Sequence, residues 1–251
     1  MERIKSASNT RVTVVDVDLV VPRPVEEYKE KYENLAVVGS GTFGSVYVAR
    51  FVVQYTRPRS DLSYHRQRES EEYVASKYMI QEVGKVVAEA EFLRDLIQSA
   101  FIPELMGVYQ SPLQCILVTE YLAGGDLVTR TASDAYLLTE RKCQIFLRQI
   151  VRGVQFIHSQ RIIHLDLKPF NIMFANPDDD YNLRIIDFGL AEKLREGEER
   201  VAMTMCGTLE YMSPEVMDCK FASPASDLWG VGSIAYLLVS GGASPFWGGN
   251  R

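Results

Sequence analysis

Two short apolar runs, Ile172–Phe174 and Leu183–Ile186, flank a polar stretch, Ala175–Asn182, that carries Asp178, Asp179 and Asp180. Apolar runs of this length around a polar turn predict the two strands of a hairpin. Immediately before the first run stand Asp166, Lys168 and Asn171, and immediately after the second stands Asp187. A hairpin returns on itself, so its outer ends meet and Asn171 is expected beside Asp187. Two carboxylates, an amide and an ammonium then share one small volume. Hard oxygen ligands of this kind suit Mg2+, which keeps some waters and takes its other ligands from carboxylates and phosphates.

The segment His164-Leu165-Asp166-Leu167-Lys168-Pro169-Phe170-Asn171 resembles the catalytic loop of protein kinases, and Asp187-Phe188-Gly189 resembles their metal-binding triplet. The resemblance covers about residues 33–251 and rests on six separate motifs. It implies an α+β, bilobal fold: a smaller lobe of antiparallel sheet with one helix, and a mainly helical second lobe. The expected organisation is an N-terminal extension at 1–32, a first lobe at 33–119 with an insertion at 55–72, and hinge plus second lobe at 120–251, incomplete at its C-terminus.

Composition agrees with a globular, non-secreted chain. The 251 residues suffice for one large domain or two small ones, and 47% hydrophobic content is ordinary. A net charge of −6 lacks the basic footprint of a general nucleic-acid binder. Cys115, Cys143, Cys206 and Cys219 show no CxxC spacing, so free thiols are expected rather than disulfides or a zinc site. Neither a secretory leader nor a run of about 18 apolar residues is read. The expected location is cytoplasmic, on the cytoskeletal side, with no nucleic-acid or membrane partner.

Taken in order, valine-rich residues 10–22 predict an extended strand, either an edge strand, a linker, or an element that pairs with a partner's sheet. Pro22 and Pro24 should break regular pairing, and Glu26–Glu33 predicts a short helix. Gly39-Ser40-Gly41-Thr42-Phe43-Gly44 lies between two β-rich runs. A dinucleotide-binding turn would need a helix after the glycines; a strand pattern follows instead, as in a hairpin laid over phosphates. Glycine lets backbone amides approach phosphate oxygens without a Cβ in the way. Phe43 is expected to cover the site and Val46 to lie over the adenine. Residues 55–72 read as a charged surface insertion.

Lys77 sits inside an apolar strand, 73–80, where a charge is costly unless paired. Its expected partners are the α- and β-phosphates of ATP and a glutamate on the following helix, read as Glu82–Ala100. The family's pattern matches Glu89-Ala-Glu-Phe-Leu, so Glu89 is chosen over Glu91. The strand entering Cys115–Glu120 and the Gly124-Gly125 turn need no ligand to explain them. By resemblance, however, they form the hinge, with backbone groups of Glu120 and Leu122 on adenine. Thr119 then guards the back pocket, Asp126 meets a ribose hydroxyl, and Ala75 and Met173 complete the ATP site. Thr139–Ser159 predicts a supporting helix with Thr139 as N-cap. In it, His158 reads as a surface or packing residue, while His164 braces the catalytic loop.

The resemblance gives Asp166 the role of orienting the substrate hydroxyl and accepting its proton, Lys168 the γ-phosphate, and Asn171 and Asp187 the Mg2+ bridging the phosphates of ATP. Lys168 and Thr208 place the chain on the serine/threonine side, with protein hydroxyls as acceptors. His-Leu-Asp-Leu-Lys-Pro resembles the myosin light chain kinase, titin/twitchin and death-associated branch of the calmodulin-dependent group. That implies calmodulin-type or tail regulation in a longer chain. Residues 190–210 read as an activation loop closing at Ser213-Pro214-Glu215, and 224–240 as a helix buried at the centre of the second lobe, with Asp227 capping amides and holding the catalytic loop. Leu165 departs from the arginine usual at its position and cannot make charge-assisted bonds, so activation without phosphorylation of 190–210 is expected. A kinase-like scaffold without turnover, or an inactive fragment, stands as the alternative.

Overall fold

The computed structural model describes residues 17–41, 44–52, 73–80, 83–133, 136–202 and 206–246. It begins with a 3-10 turn, Val17–Val20, then strand β1 (Arg23–Pro24) and helix α1 (Val25–Lys31). Strands β2 (Tyr32–Gly41), β3 (Gly44–Phe51) and β4 (Tyr73–Ile80) lead to helix α2 (Val83–Asp95). Strands β5 (Leu105–Gln110) and β6 (Gln114–Glu120) complete a six-stranded sheet of order β1-β5-β6-β4-β3-β2.

The valine-rich start departs from its expected form. Val17–Val20 is a helical turn whose Val20 joins the core that includes α2; residues 10–16 lie outside the described residues. Proline restricts how far a ladder can run here. Only Arg23 and Pro24 pair, in parallel with Tyr109 and Gln110. The expected helix is also shifted, since Tyr32 and Glu33 already belong to β2.

Register divides the sheet into two faces. Val46 pairs with Lys77 and Lys77 with Leu117, while Val48 pairs with Ala75 and Ala75 with Thr119. Directly opposed residues share a face, so Val46, Val48, Ala75, Lys77 and Thr119 all look to one side. The other side carries Ala49, Val74, Ile116 and Val118 against Tyr28 and Tyr32. There Tyr28 Oη lies 2.9 Å from Ser76 Oγ, a fully buried hydroxyl. Aliphatic and aromatic burial thus closes one face, and the half-buried face bearing Lys77 is left for the helical half of the chain.

That half contains α3 (Leu127–Thr131), α4 (Glu140–Ser159), β7 (Ile162–Ile163), β8 (Ile172–Phe174), β9 (Leu183–Ile185), β10 (Glu192–Lys193), β11 (Val201–Ala202), α5 (Pro214–Met217), β12 (Phe221–Ala222) and α6 (Pro224–Val239). Thr139 caps α4 as its sequence predicts, accepting from Lys142 N at 3.3 Å. Cys143, Phe146, Ile150, Val154 and Ile157 form its buried stripe, the spacing of one helical face. Strands β8 and β9 pair as the predicted hairpin, Ile172 opposite Ile185. Helix α2 ends at Asp95, not Ala100.

Two further expectations are corrected. The segment 190–210 is not a plain loop: β10 pairs with β7, and β11 with β12. Helix α6 is buried on one face only. Val231, Ile234 and Leu238 enter the core while Leu228, Tyr236 and Val239 are exposed, so an apolar composition alone overstates its burial. Among the described residues, no helix is long and apolar enough to cross a membrane. The four cysteines are free.

Candidate active site

The stretch between β7 and β8 holds its shape through a carboxylate from α6. Asp227, 1% exposed, accepts from His164 N and Leu165 N, both at 2.8 Å, and lies 2.7 Å from His158 Nε2. Leu165 has a φ of 67°, a left-handed conformation that a branched side chain rarely adopts; the captured amide stabilises it. Asp227 therefore holds the loop as expected but does not cap its own helix, where Ser226 Oγ accepts from Ser223 N at 3.2 Å. His158 is neither a surface nor a mere packing residue. His164, fully buried, sits 3.0 Å from Ile186 O through Nε2, receives Asp166 N at Nδ1, and packs its ring against Phe188.

This scaffold presents Asp166 to three donors. Lys168 Nζ reaches Asp166 Oδ2 at 2.6 Å, Asn171 Nδ2 reaches the same oxygen at 3.1 Å, and Thr208 Oγ1 donates to Oδ1 at 3.0 Å. Thr208 also accepts from Lys168 at 2.9 Å. It thus belongs to the site itself, whereas its sequence suggested only a marker of the serine/threonine side. Gly207 beside it has a φ of 102°, and a Cβ there would sit 2.9 Å from Leu165 O. Glycine is what lets this segment approach the loop.

The second cluster joins the two halves of the chain. Lys77 Nζ is 3.0 Å from both oxygens of Glu89 and 2.7 Å from Asp187 Oδ1. Glu89 is buried on α2 while Glu91 is exposed, which settles the choice between them. Burial by itself would pull the Lys77 ammonium down, but Glu89 and Asp187 outweigh it and hold its pKa above the ordinary value. Burial pushes the Glu89 carboxyl up against the pull of Lys77. For Asp187, burial is overcome by Lys77 and its carboxyl is held below the usual range.

The hairpin brings Asn171 and Asp187 together at the backbone, with Ile186 N donating to Asn171 O at 3.0 Å. Their side chains diverge, Asn171 toward Asp166 and Asp187 toward Lys77. Among the described residues no three His, Cys, Asp or Glu gather as a metal cage. The oxygens available here are one carboxylate and one amide, a donor set that fits an ion completing its shell from phosphates and water.

Around the cleft, Gly39 pairs with Val46 across the β2–β3 turn. Gly44 has a φ of 137°, and a Cβ on it would fall 1.8 Å from Tyr78 O. Thr42 and Phe43 lie outside the described residues; Ser40 is exposed. The amide of Glu120 donates to Glu104 O at 2.9 Å, and its carbonyl receives Thr119 Oγ1 at 3.5 Å. Its carboxylate receives Arg184 at 3.2 and 3.3 Å. Leu122 is buried. Asp126, expected at a ribose, caps α3 by accepting from Thr129 N and Oγ1 at 2.9 and 2.6 Å, and its backbone bridges to Met173.

A family model described as protein kinase domain matches residues 32–251. The chain belongs to the protein kinase family. This kinase domain is 44% identical over 147 residues to myosin light chain kinase 3 of Danio rerio, covering 59% of the chain and 20% of that protein. It is 33% identical over 235 residues to the death-associated protein kinase dapk-1 of Caenorhabditis elegans, covering 89% of the chain and 15% of that protein. It is 34% identical over 223 residues to human serine/threonine-protein kinase H1, covering 88% of the chain and 49% of that protein. The chain thus spans half or less of the length of each. The six-stranded sheet and helical half are the two lobes of a kinase fold, and the kinship falls in the calmodulin-dependent serine/threonine branch.

Proposed function

We propose that the chain transfers the γ-phosphate of ATP to a serine or threonine hydroxyl of a protein substrate. The observation that carries this is Asp166, presented on a braced loop with Lys168 and Thr208 in contact, beside the hairpin whose far end ties Asp187 to Lys77. Phosphoryl transfer asks for positioning and charge neutralisation more than covalent chemistry. The substrate O–H donates to Asp166 as its oxygen bonds to the γ-phosphorus; the bond from that phosphorus to the bridging oxygen breaks and ADP leaves with the electron pair. Asp166 takes the proton. Lys168 would meet the γ-phosphate, Lys77 the α- and β-phosphates, and Gly39, Gly41 and Gly44 would let the loop amides close on them. Asn171 and Asp187 would hold Mg2+, which supplies neutralising charge to the phosphates when bound. Val46, Ala75, Thr119, Leu122 and Met173 would enclose the adenine, the Glu120 carbonyl would accept from it, and the lone pairs that Asp126 keeps beyond its cap would serve the ribose.

Transfer of labelled phosphate from Mg-ATP to a generic basic protein is the test. Asp166→Asn should lower it by about a thousandfold while the thermal shift on adding Mg-ATP stays. Transfer that survives this change, or a ligand shift without any Asp166-dependent transfer, would rule the proposal out in favour of a nucleotide-binding scaffold. The myosin light chain kinase relatives favour a cytoplasmic, cytoskeleton-associated substrate and calmodulin-type or tail control in a longer chain.

We also infer that activity does not depend on phosphate in the segment 190–210. Leu165 packs with Val201, Leu194, Met212 and Val216 in one apolar cluster, so the segment is held by burial at the point where an arginine would need an anion. Thr204→Ala should keep transfer within about twofold of the unmodified protein. Loss of transfer that a Thr204→Glu change restores would contradict this. Thr208→Ala is not a clean probe, because Thr208 already touches Asp166.

A further inference from the structure

A groove of about 590 Å³ runs along α4 on the hairpin side, and it is basic in an acidic chain. Arg141, Arg148 and Arg152 line it, at spacings of seven and four residues that put all three on one helical face. All three are exposed. Among the described residues none of them pairs with a carboxylate. Most acidic groups of the elements beside the groove are engaged elsewhere: Glu140 accepts from Gln144, Asp179 from Tyr181 N and Asn182, and Asp180 from Arg130 and Lys142, while Asp178 is exposed on the hairpin turn and pairs with none of the three arginines. Like charges four apart on one helix face repel, so Arg148 and Arg152, with no carboxylate beside them, carry a small cost that an acidic partner would relieve. Between them and the hairpin, Phe101, Ile145 and Tyr181 supply apolar walls. Tyr181 is 68% exposed.

We propose that this groove docks an extended acidic segment of a partner protein, its carboxylates toward the arginine row and its apolar residues against Phe101, Ile145 and Tyr181. Charge complementarity fixes the occupant's sign, and arginine is the residue suited to bidentate carboxylate recognition. The row from Arg141 to Arg152 spans about 16 Å of helix, the length of about five extended residues. Alternation of side chains along such a segment sends acidic and apolar groups to opposite sides. The groove is fastened to the hairpin: Ile185 N donates to Phe101 O at 2.7 Å and Leu183 N to Gln149 Oε1 at 3.1 Å. A docked segment therefore sits against the element whose end carries Asp187. The inference does not depend on turnover.

The probe is a fluorescein-labelled peptide of about six residues alternating glutamate and leucine, followed by anisotropy with the whole chain. Saturable binding is expected, weakening about tenfold between about 0.05 and about 0.3 M salt. The double change Arg148→Glu/Arg152→Glu should weaken it about thirtyfold or more, Arg148→Gln/Arg152→Gln by less, and a lysine–leucine peptide should not bind. The glutamine pair decides the matter if the reversed protein does not fold. Absence of binding to the unmodified chain, or binding indifferent to both pairs of substitutions, would overturn the proposal. So would displacement of the peptide by phosphatidylserine vesicles or by a thymidine oligonucleotide at lower concentration than unlabelled peptide, since the groove would then serve a lipid surface or a nucleic acid.

Discussion

Asp227→Ala is expected to cost about 3–5 kcal/mol of folding stability and to lower phosphate transfer by about a hundredfold or more. Both effects arise because one buried carboxylate serves three groups, all of them 62 to 69 residues away in the chain. Without it, the amides of His164 and Leu165 lose their acceptor at 2.8 Å, and His158 loses its partner at 2.7 Å. At 1% exposure water does not replace what is lost, and unsatisfied buried donors carry their full desolvation cost. The left-handed φ of 67° at Leu165 then has nothing to hold it, and Asp166 follows Leu165 directly. Asp227→Asn should recover less than half of the stability, because its NH2 turns a donor toward a group that is itself a donor. Urea unfolding and transfer assays on the same preparations check this. An alanine variant within about 1 kcal/mol of the unmodified protein would show that the three contacts are incidental.

Asp227 also shows where reading the chain stops. That it could hold the catalytic loop is what the kinase resemblance implies for an aspartate at the start of this helix. That it also binds His158 does not follow, since the two lie in different helices and nothing in the spacing of either records the other. Thr208 is similar: its contact with Asp166 depends on the path of an irregular segment, which carries no periodicity. Glu89 against Glu91 is legible only through the family pattern it matches; the structure adds that Val86, Glu89, Ala90 and Leu93 are the buried positions of α2 and Glu91 falls off that face. The β8–β9 hairpin is legible because its strands are short, apolar and separated by acidic turn residues. The strand expected at 10–22 fails over Val17–Val20, where a helical turn puts Val20 into the core beside α2, a tertiary contact that local alternation does not record. At Leu165 the missing arginine could be read directly. The apolar cluster around it could not, because Val201, Met212 and Val216 come from separate short elements whose packing no local pattern records.

Lys77→Met should leave the protein about 3–5 kcal/mol less stable near neutral pH and lower transfer by about a thousandfold, and the stability deficit should shrink as pH falls. Lys77 lies between Glu89 and Asp187, at 3.0 and 2.7 Å. With methionine in its place, two carboxylates face one another in a site that already disfavours the charge on Glu89. Burial raises the Glu89 pKa even with the ammonium present; without it the shift is larger in the same direction. A carboxyl whose folded pKa lies above its unfolded value takes up a proton on folding. Its contribution to stability is therefore fully present below the unfolded pKa and lost as pH rises through the folded one. The variant should thus sit furthest below the unmodified protein at about pH 8 and approach it as pH falls and Glu89, its pKa raised by burial, takes up a proton in the folded state. Asp187 acts in the opposite sense. Its pKa is depressed by Lys77, so its contribution in the unmodified protein is lost only as pH falls below the ordinary carboxylate range, outside that window. Urea titrations of both proteins across the window measure the gap. A gap that stays constant, or widens toward acid, would mean that Glu89 is not the group left uncompensated and that the ion pair is not what holds α2 against the hairpin.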